Sequence, residues 1–419
     1  MIQPDLKLMH SRTAMPQSAH PVESGFTIIE LLVALTIGLL LLTSMTLIYV
    51  SNSSYRTELD RSSRMIENGV FAIDRMTDDI RKAGYYGDFD IGYAVNANLM
   101  QAPTAKPDPC VTALASIGQP QTVPPGTLNS PLVLPVQGYD APSATAAPTL
   151  PATCDAYIAP SELKGGSDVV VIRRTDTCVA GPTAAAGCDA PVAGRAYFQA
   201  SQCTPFPPQA ATELAGTLFP GVGTSGWFKM ESTTANLTLH KIDCNSSPPG
   251  ATANYRRYLV NIYYVAKNDN AGDGIPTLKL AQLDAGTFTV TPLAEGIESM
   301  QLEYGMDTKQ TGVCNLAGDG TPDEWSADPD NFVNCTGAAV SAANAMANWA
   351  SVVALKVHLL ARNAEPAAPG LAYVNNKTFN LGFKANGTNN TFGPFGDAYR
   401  RHVYATMVRL YNSAGRRQL

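Results

Sequence analysis

Twenty consecutive residues, Leu31–Val50 (LLVALTIGLLLLTSMTLIYV), carry no charge and are mostly aliphatic. As a helix rising ~1.5 Å per residue the run is about 30 Å long, the thickness of a bilayer's hydrocarbon core. A helix apolar on every side is rare inside a water-soluble domain. The run is also too long for the apolar part of a cleaved secretory signal, and LTSMTLIYVSNSS lacks a small-x-small cleavage pattern. A plain membrane anchor would fit, were it not for Glu30, which sits within GFTIIELLVAL at the head of the run. A lone carboxylate in a bilayer is costly and normally has a partner or a function.

Beyond Val50 the pattern turns amphipathic. Ser51–Ala83 contains no proline, and Gly84 stands where a helix would stop. Leu59, Ile66, Val70, Ile73 and Ile80, spaced by seven, four, three and seven, predict one apolar stripe packed under a globular domain. Six acidic and six basic residues share the other positions, with Asp60/Arg64 and Asp78/Lys82 in the favourable acid-first order of a solvated face. One helix is therefore expected over 26–83, with an apolar half at 26–50 and an amphipathic half at 51–83.

From residue 84 to 419 the chain reads as a β-rich globular domain. The stretch from about 94 to 165 is rich in Ala, Pro, Thr and Ser and reads as an irregular, disulfide-tied insertion. Strand patterns follow at Asp168–Arg174, Trp227–Met230, Tyr255–Lys267, Leu278–Leu283, Phe288–Thr291, Ile297–Tyr304, Val352–Arg362 and His402–Tyr411. Strands and helices do not alternate, which argues against a parallel α/β sheet. The expected class is α+β: a long N-terminal helix, then a mostly antiparallel β-sheet domain with long disulfide-tied loops.

Composition narrows the chemistry. Of 419 residues 45% are hydrophobic, too many for a disordered chain. The net charge of −6, with no dense Lys/Arg run, gives no electrostatic basis for nucleic-acid binding. Eight cysteines without a C-x-x-C pair, and only five histidines, disfavour zinc and thiol-redox sites and suit an oxidising compartment. Cys178 and Cys188 bracket a short loop, and Cys314 and Cys335 an acidic one; Cys110 with Cys154 and Cys203 with Cys244 complete a sequential scheme, one of many open to eight cysteines. Asn315, Ala317, Asp319 and Gly320 fall at calcium-loop spacing, but Ala317 replaces an oxygen ligand and Ser326 stands where the bidentate glutamate is needed. Asp307, Asp319 and Asp323 read first as acidic turn residues, with a looser calcium site from the three as the lesser alternative. His358 and His402 lie among apolar strand neighbours, and Gly221–Gly226 (GVGTSG) has no partner for its serine. The chain is expected to be no enzyme and to need no cofactor or metal.

Gly25-Phe26-Thr27-Ile28-Ile29-Glu30 followed by the apolar run resembles the signal of type IV pilins and type II secretion pseudopilins. The resemblance implies a leader over 1–25, cleavage after Gly25 by a prepilin peptidase, N-methylation of Phe26, and a Glu30 that aids docking into a growing filament. Along one straight helix the new amine and Glu30 would not meet, whereas two helices offset along an axis could pair them. The leader departs from the pattern: Lys7 and Arg12 are offset by Asp5 and Glu23, which weakens the positive-inside signal.

Glu67–Gly87, with Arg81, Ala83, Gly84 and Tyr85, resembles the minor pilins of the PilW family, as do Ile297–Asp307 (IESMQLEYGMD) and Arg400–Asn412. Asp88 stands where that family often has a cysteine, and residues 94–250 resemble nothing familiar. The family implies a minor pilin held in the bacterial inner membrane with its C-terminal domain periplasmic, priming pilus assembly near the tip. Its implied partners are the prepilin peptidase, other minor pilins and the major pilin, with a large tip adhesin as a candidate. A type II secretion minor pseudopilin (the J-type subunit) and a pilin-anchored adhesin or binding module are the alternatives.

Overall fold

The computed structural model describes residues 25–89, 100–117, 121–123, 127–181, 185, 187–202, 228–241, 252–368 and 372–417. Residues 1–24, Gly221–Gly226, Trp227, Cys203 and Cys244 lie outside these, so the leader and the Cys203–Cys244 pairing are not described. The chain divides into two units, Met1–Arg56 and Thr57–Leu419. Helix α1, Ile28–Arg81, begins in the first and ends in the second.

In the first unit the apolar side chains of α1 stand in the open: Leu31, Leu39, Leu41 and Ile48 are each more than half exposed. The hydroxyls of Thr36, Thr43, Ser44 and Thr46 donate to carbonyls three or four residues back in the helix, at 2.7–2.8 Å. The serine and threonine hydroxyls of the span are thereby satisfied within one helix, as lying in hydrocarbon requires.

The second unit is built on two antiparallel sheets. The first has the order β7–β6–β5–β2–β1: β1 Val136–Tyr139, β2 Val169–Thr175, β5 Tyr255–Ala266, β6 Thr277–Asp284 and β7 Thr287–Glu295, with β3 Tyr197–Ala200 pairing β5 and β4 Phe228–Glu231 pairing β3. The second has the order β9–β8–β10–β13: β8 Ile297–Met306, β9 Glu324–Ser326, β10 Val352–Arg362 and β13 Arg401–Arg409. A hairpin of β11 Phe379–Phe383 and β12 Asn389–Phe392 stands beside the second sheet, helix α2 spans Ala342–Ala350, and α3 spans Tyr411–Arg416.

Burial explains the strand sequences. All seven residues of β2 are buried: Val170 and Ile172 join one core, Val169 and Val171 a second core on the opposite face. A strand covered on both faces reads as an unbroken apolar run rather than an alternation. The first core also takes in Met300, Leu302 and Tyr304 of β8, Leu355, Val357 and Leu359 of β10, and Trp349 of α2.

The helix face that meets this core differs from the expected one. Met65, Gly69, Ala72, Met76, Asp79 and Ile80 are buried, whereas Leu59, Ile66 and Val70 are 70%, 51% and 44% exposed. Within 94–165 the described residues include regular structure. Val136–Tyr139 forms the edge strand β1, and Leu132 and Leu134 are fully buried.

Candidate functional site

Helix α1 opens with a reciprocal cap. Thr27 precedes the first helical residue, and Glu30 is the third residue of the helix. The Glu30 N–H donates to Thr27 Oγ1 at 3.2 Å, while Glu30 Oε2 accepts from the Thr27 N–H at 3.3 Å and from its hydroxyl at 3.2 Å. This Thr-x-x-Glu capping box satisfies two orphan donors of the first turn, and the carboxylate faces the positive end of the helix dipole. Glu30 is thus held by its own chain through Oε2, which leaves Oε1 outside the box. Gly25 and Phe26 lie before the helix, and the Phe26 side chain is 87% exposed. The Gly25–Phe26 bond therefore sits in open, non-helical chain, the kind of segment a protease can bind extended.

The other end of α1 is clasped to the β domain at three points. At the first, Glu58, buried, accepts from the Arg400 guanidinium and from the Ala368 N–H at 3.3 Å, and Arg61 pairs with Glu365. At the second, Gly69 lies against the Tyr404 ring so closely that a Cβ there would fall 2.2 Å from Tyr404 Cε2. At the third, Asp79, fully buried, pairs with Arg174 and accepts from Asn261 Nδ2 at 2.6 Å and Tyr263 Oη at 2.9 Å. A buried carboxylate with an ion partner and two further donors is fully satisfied. Burial, followed by the Asp79 charge, pushes the Tyr263 hydroxyl well above its usual range.

The three segments that resemble pilins meet in space. Gly84, with φ 71°, ends the helix in the left-handed region, and its N–H donates to the Arg173 carbonyl at 2.9 Å. Asn412 Nδ2 closes on the Ala83 carbonyl at 3.1 Å, and Arg416 donates to the Gly84 carbonyl at 3.0 Å. Arg401 is held by Glu298, at the start of β8, and by Asp397. Asp88, at the position of the family cysteine, accepts from Gln202 Nε2 at 2.8 Å.

The other polar residues singled out by the sequence are tied into the fold. Asp307 accepts from the N–H groups of Asp319 and Gly320 at 3.0 and 2.7 Å, with Arg417 Nη1 3.6 Å from its carboxylate. Asp323 accepts from the N–H groups of Thr308 and Lys309 at 3.1 and 2.8 Å. The acidic loop is thus locked by its own backbone, and the cation beside Asp307 is an arginine. His358 Nε2 lies 3.2 Å from Glu303, which also binds Lys356 and the Phe383 N–H. His402 stacks edge-on against Tyr404. Disulfides join Cys110–Cys154, Cys178–Cys188 and Cys314–Cys335, tying the long loops.

Thr27 escapes a reading that looks only for charge, although the Thr-x-x-Glu spacing is a direct signal for it. Asp79 escapes because it is one of two adjacent acids on a helix rich in charge.

Comparison with known proteins gives two family matches. The prokaryotic N-terminal methylation motif matches residues 21–46. The family described as type IV pilus-assembly protein W matches residues 262–412, from the middle of β5 into α3. No curated protein matches the chain. A type IV-like pilin from Thermus thermophilus is similar at 16% identity, over 38% of this chain and 70% of that one; the TM-score of 0.18 carries no structural argument. The chain is thus similar to type IV pilus-assembly protein W over residues 262–412 and carries an N-terminal methylation motif over residues 21–46.

Proposed function

We propose that this chain is a minor pilin that primes type IV pilus assembly and sits in a tip complex with other minor pilins, where a large tip adhesin can be carried. In this reading a prepilin peptidase cuts after Gly25, Phe26 becomes the methylated N-terminus, and Glu30 meets the new amine of a neighbouring subunit. The observation that carries the proposal is the head of α1. A carboxylate with one oxygen outside its cap stands at the head of a span whose apolar side chains are exposed. Such a helix is at home in a bilayer or among similar helices.

Leu59, Ile66 and Val70 extend the unpartnered apolar surface beyond the membrane span and offer a second contact to neighbouring pilin helices. Size supports a place at the end of the filament, since a domain of this bulk would crowd a repeating shaft.

The test is pilus counting by electron microscopy in cells carrying Gly25→Ala or Glu30→Ala in place of the native gene, with mass spectrometry of the native mature chain. Few or no pili, and a native chain beginning at methylated Phe26, are expected. Native piliation with both variants, or a mature chain starting elsewhere, would overturn the proposal.

A further inference from the structure

A cavity of about 320 Å³ lies in the globular unit between the loop after β1 and the β11–β12 hairpin, above β8. Its volume is at the lower end of the range used by small-molecule sites, which suits a single ring rather than a peptide. The floor is polar and fixed. Gln301 of β8 spends its amide N–H groups inward, on the Gly166 and Met300 carbonyls at 3.1 and 3.0 Å, and its Oε1 takes the amide of Asn390. That bond orients the Asn390 amide and leaves Oδ1 of this buried side chain as an acceptor for whatever enters. Asp140 lines the same floor, next to fully buried Asp168, and offers its carboxyl oxygens there as acceptors. Phe392 supplies the one aromatic surface, and Lys384 and Asn386 stand exposed at the rim.

We infer that this cavity is a binding site for an uncharged, hydroxyl-rich ring, the chemistry of a monosaccharide unit of a glycan. Acceptors from Asp140 and Asn390 and donors from Lys384 and Asn386, set beside the Phe392 ring, match a molecule whose edges are hydroxyl and whose faces are C–H. The charges argue against the other classes. One cation, Lys384, balances one acid, Asp140, so neither a phosphate nor an amine finds the excess charge it needs. A purely apolar ligand would leave Asn390 and Asp140 desolvated without partners. The inference stands on the cavity alone and survives if the pilus reading fails.

The test uses the full chain in detergent micelles and saturation-transfer NMR with the methyl glycosides of glucose, galactose, mannose, N-acetylglucosamine and fucose. Each is offered at about 10 mM, enough to populate a millimolar site. At least one glycoside is expected to receive saturation, and Asn386→Ala and Lys384→Ala, both on the exposed rim, are expected to weaken it roughly five- to tenfold, with thermal unfolding unchanged in Lys384→Ala. Asn390→Leu is expected to abolish it. Absence of transfer to all five glycosides, transfer unchanged in the rim variants, or tighter binding of inorganic phosphate than of any glycoside would each overturn the inference.

Discussion

At the scale of single residues, Glu30 has two separable jobs. As the acid of the capping box it fixes the first turn of α1 through Thr27; as a charge it can neutralise an amine. Glutamine at this helix position can still reach back to the Thr27 N–H, but it carries no charge. Glu30→Gln is therefore expected to keep the helix start while losing assembly, as Glu30→Ala does. Thr27→Ala is expected to cost about 1 kcal/mol of local helix stability and to leave most piliation intact. Pilus counts for the three variants decide the matter: piliation restored by glutamine would mean that the cap, not the charge, is what the filament needs.

At the scale of the element, α1 shows how a side chain's size can outweigh its hydropathy. The apolar stripe Leu59–Ile66–Val70 is the obvious one in the sequence, yet it is the outer face. The inner face uses Gly69 and Ala72, which let the helix approach the sheet, Met65 and Met76, which fill the gaps, and the acids Glu58 and Asp79, which hydropathy reads as solvent. Ile73 and Ile80, on the flank shared by both faces, were legible; the rest were not, because pairing partners such as Arg400 and Arg174 lie hundreds or tens of residues away. Long strands such as β5 and β10 could be read because their residues are buried along nearly the whole length. Short β1, β3, β11 and β12, and helix α2, were too brief or too polar to stand out from loop. The packing makes a prediction. Gly69→Ala would drive a methyl into the Tyr404 ring, and overpacking of this kind costs about 1–3 kcal/mol. Thermal melts should show a clear drop in Tm for Gly69→Ala. The loss in Gly69→Ala/Tyr404→Ala should be smaller than the sum of the two single changes, because the second removes the obstacle to the first. Strict additivity would mean the contact is not close.

At the scale of the whole globular unit, the two sheets are joined by buried polar links as well as by the shared core. Asp168, leading into β2, accepts from the Leu302 N–H of β8 at 2.8 Å and from the Ala141 N–H at 2.9 Å, while its own N–H donates to the Met300 carbonyl. Asp140 lies against it at the end of β1. Burial, then the like charge of Asp328, pushes Asp140 up to about 6 despite the opposing bond from Asp168 and the charge of Lys106. Burial, then the Asp140 charge, pushes Asp168 up as well. The pair holds a proton in the folded chain that the unfolded chain, ionising near 3.8, has released. Where the native state binds more protons, stability falls as pH rises. Asp140's contribution is therefore complete below 3.8 and is lost as pH climbs through about 6. Salt-bridged acids such as Asp284 and Asp397, held below the usual range by Arg195 and Arg401, act in the opposite sense at lower pH. The useful quantity is thus the difference from Asp140→Asn, which removes the shared proton and leaves the other acids in place. Relative to that variant, the Tm of the native chain is expected to decline as pH is raised from about 4 to about 7. A difference that stays constant across the window would show that the two carboxyls do not share a proton at the seam between the sheets.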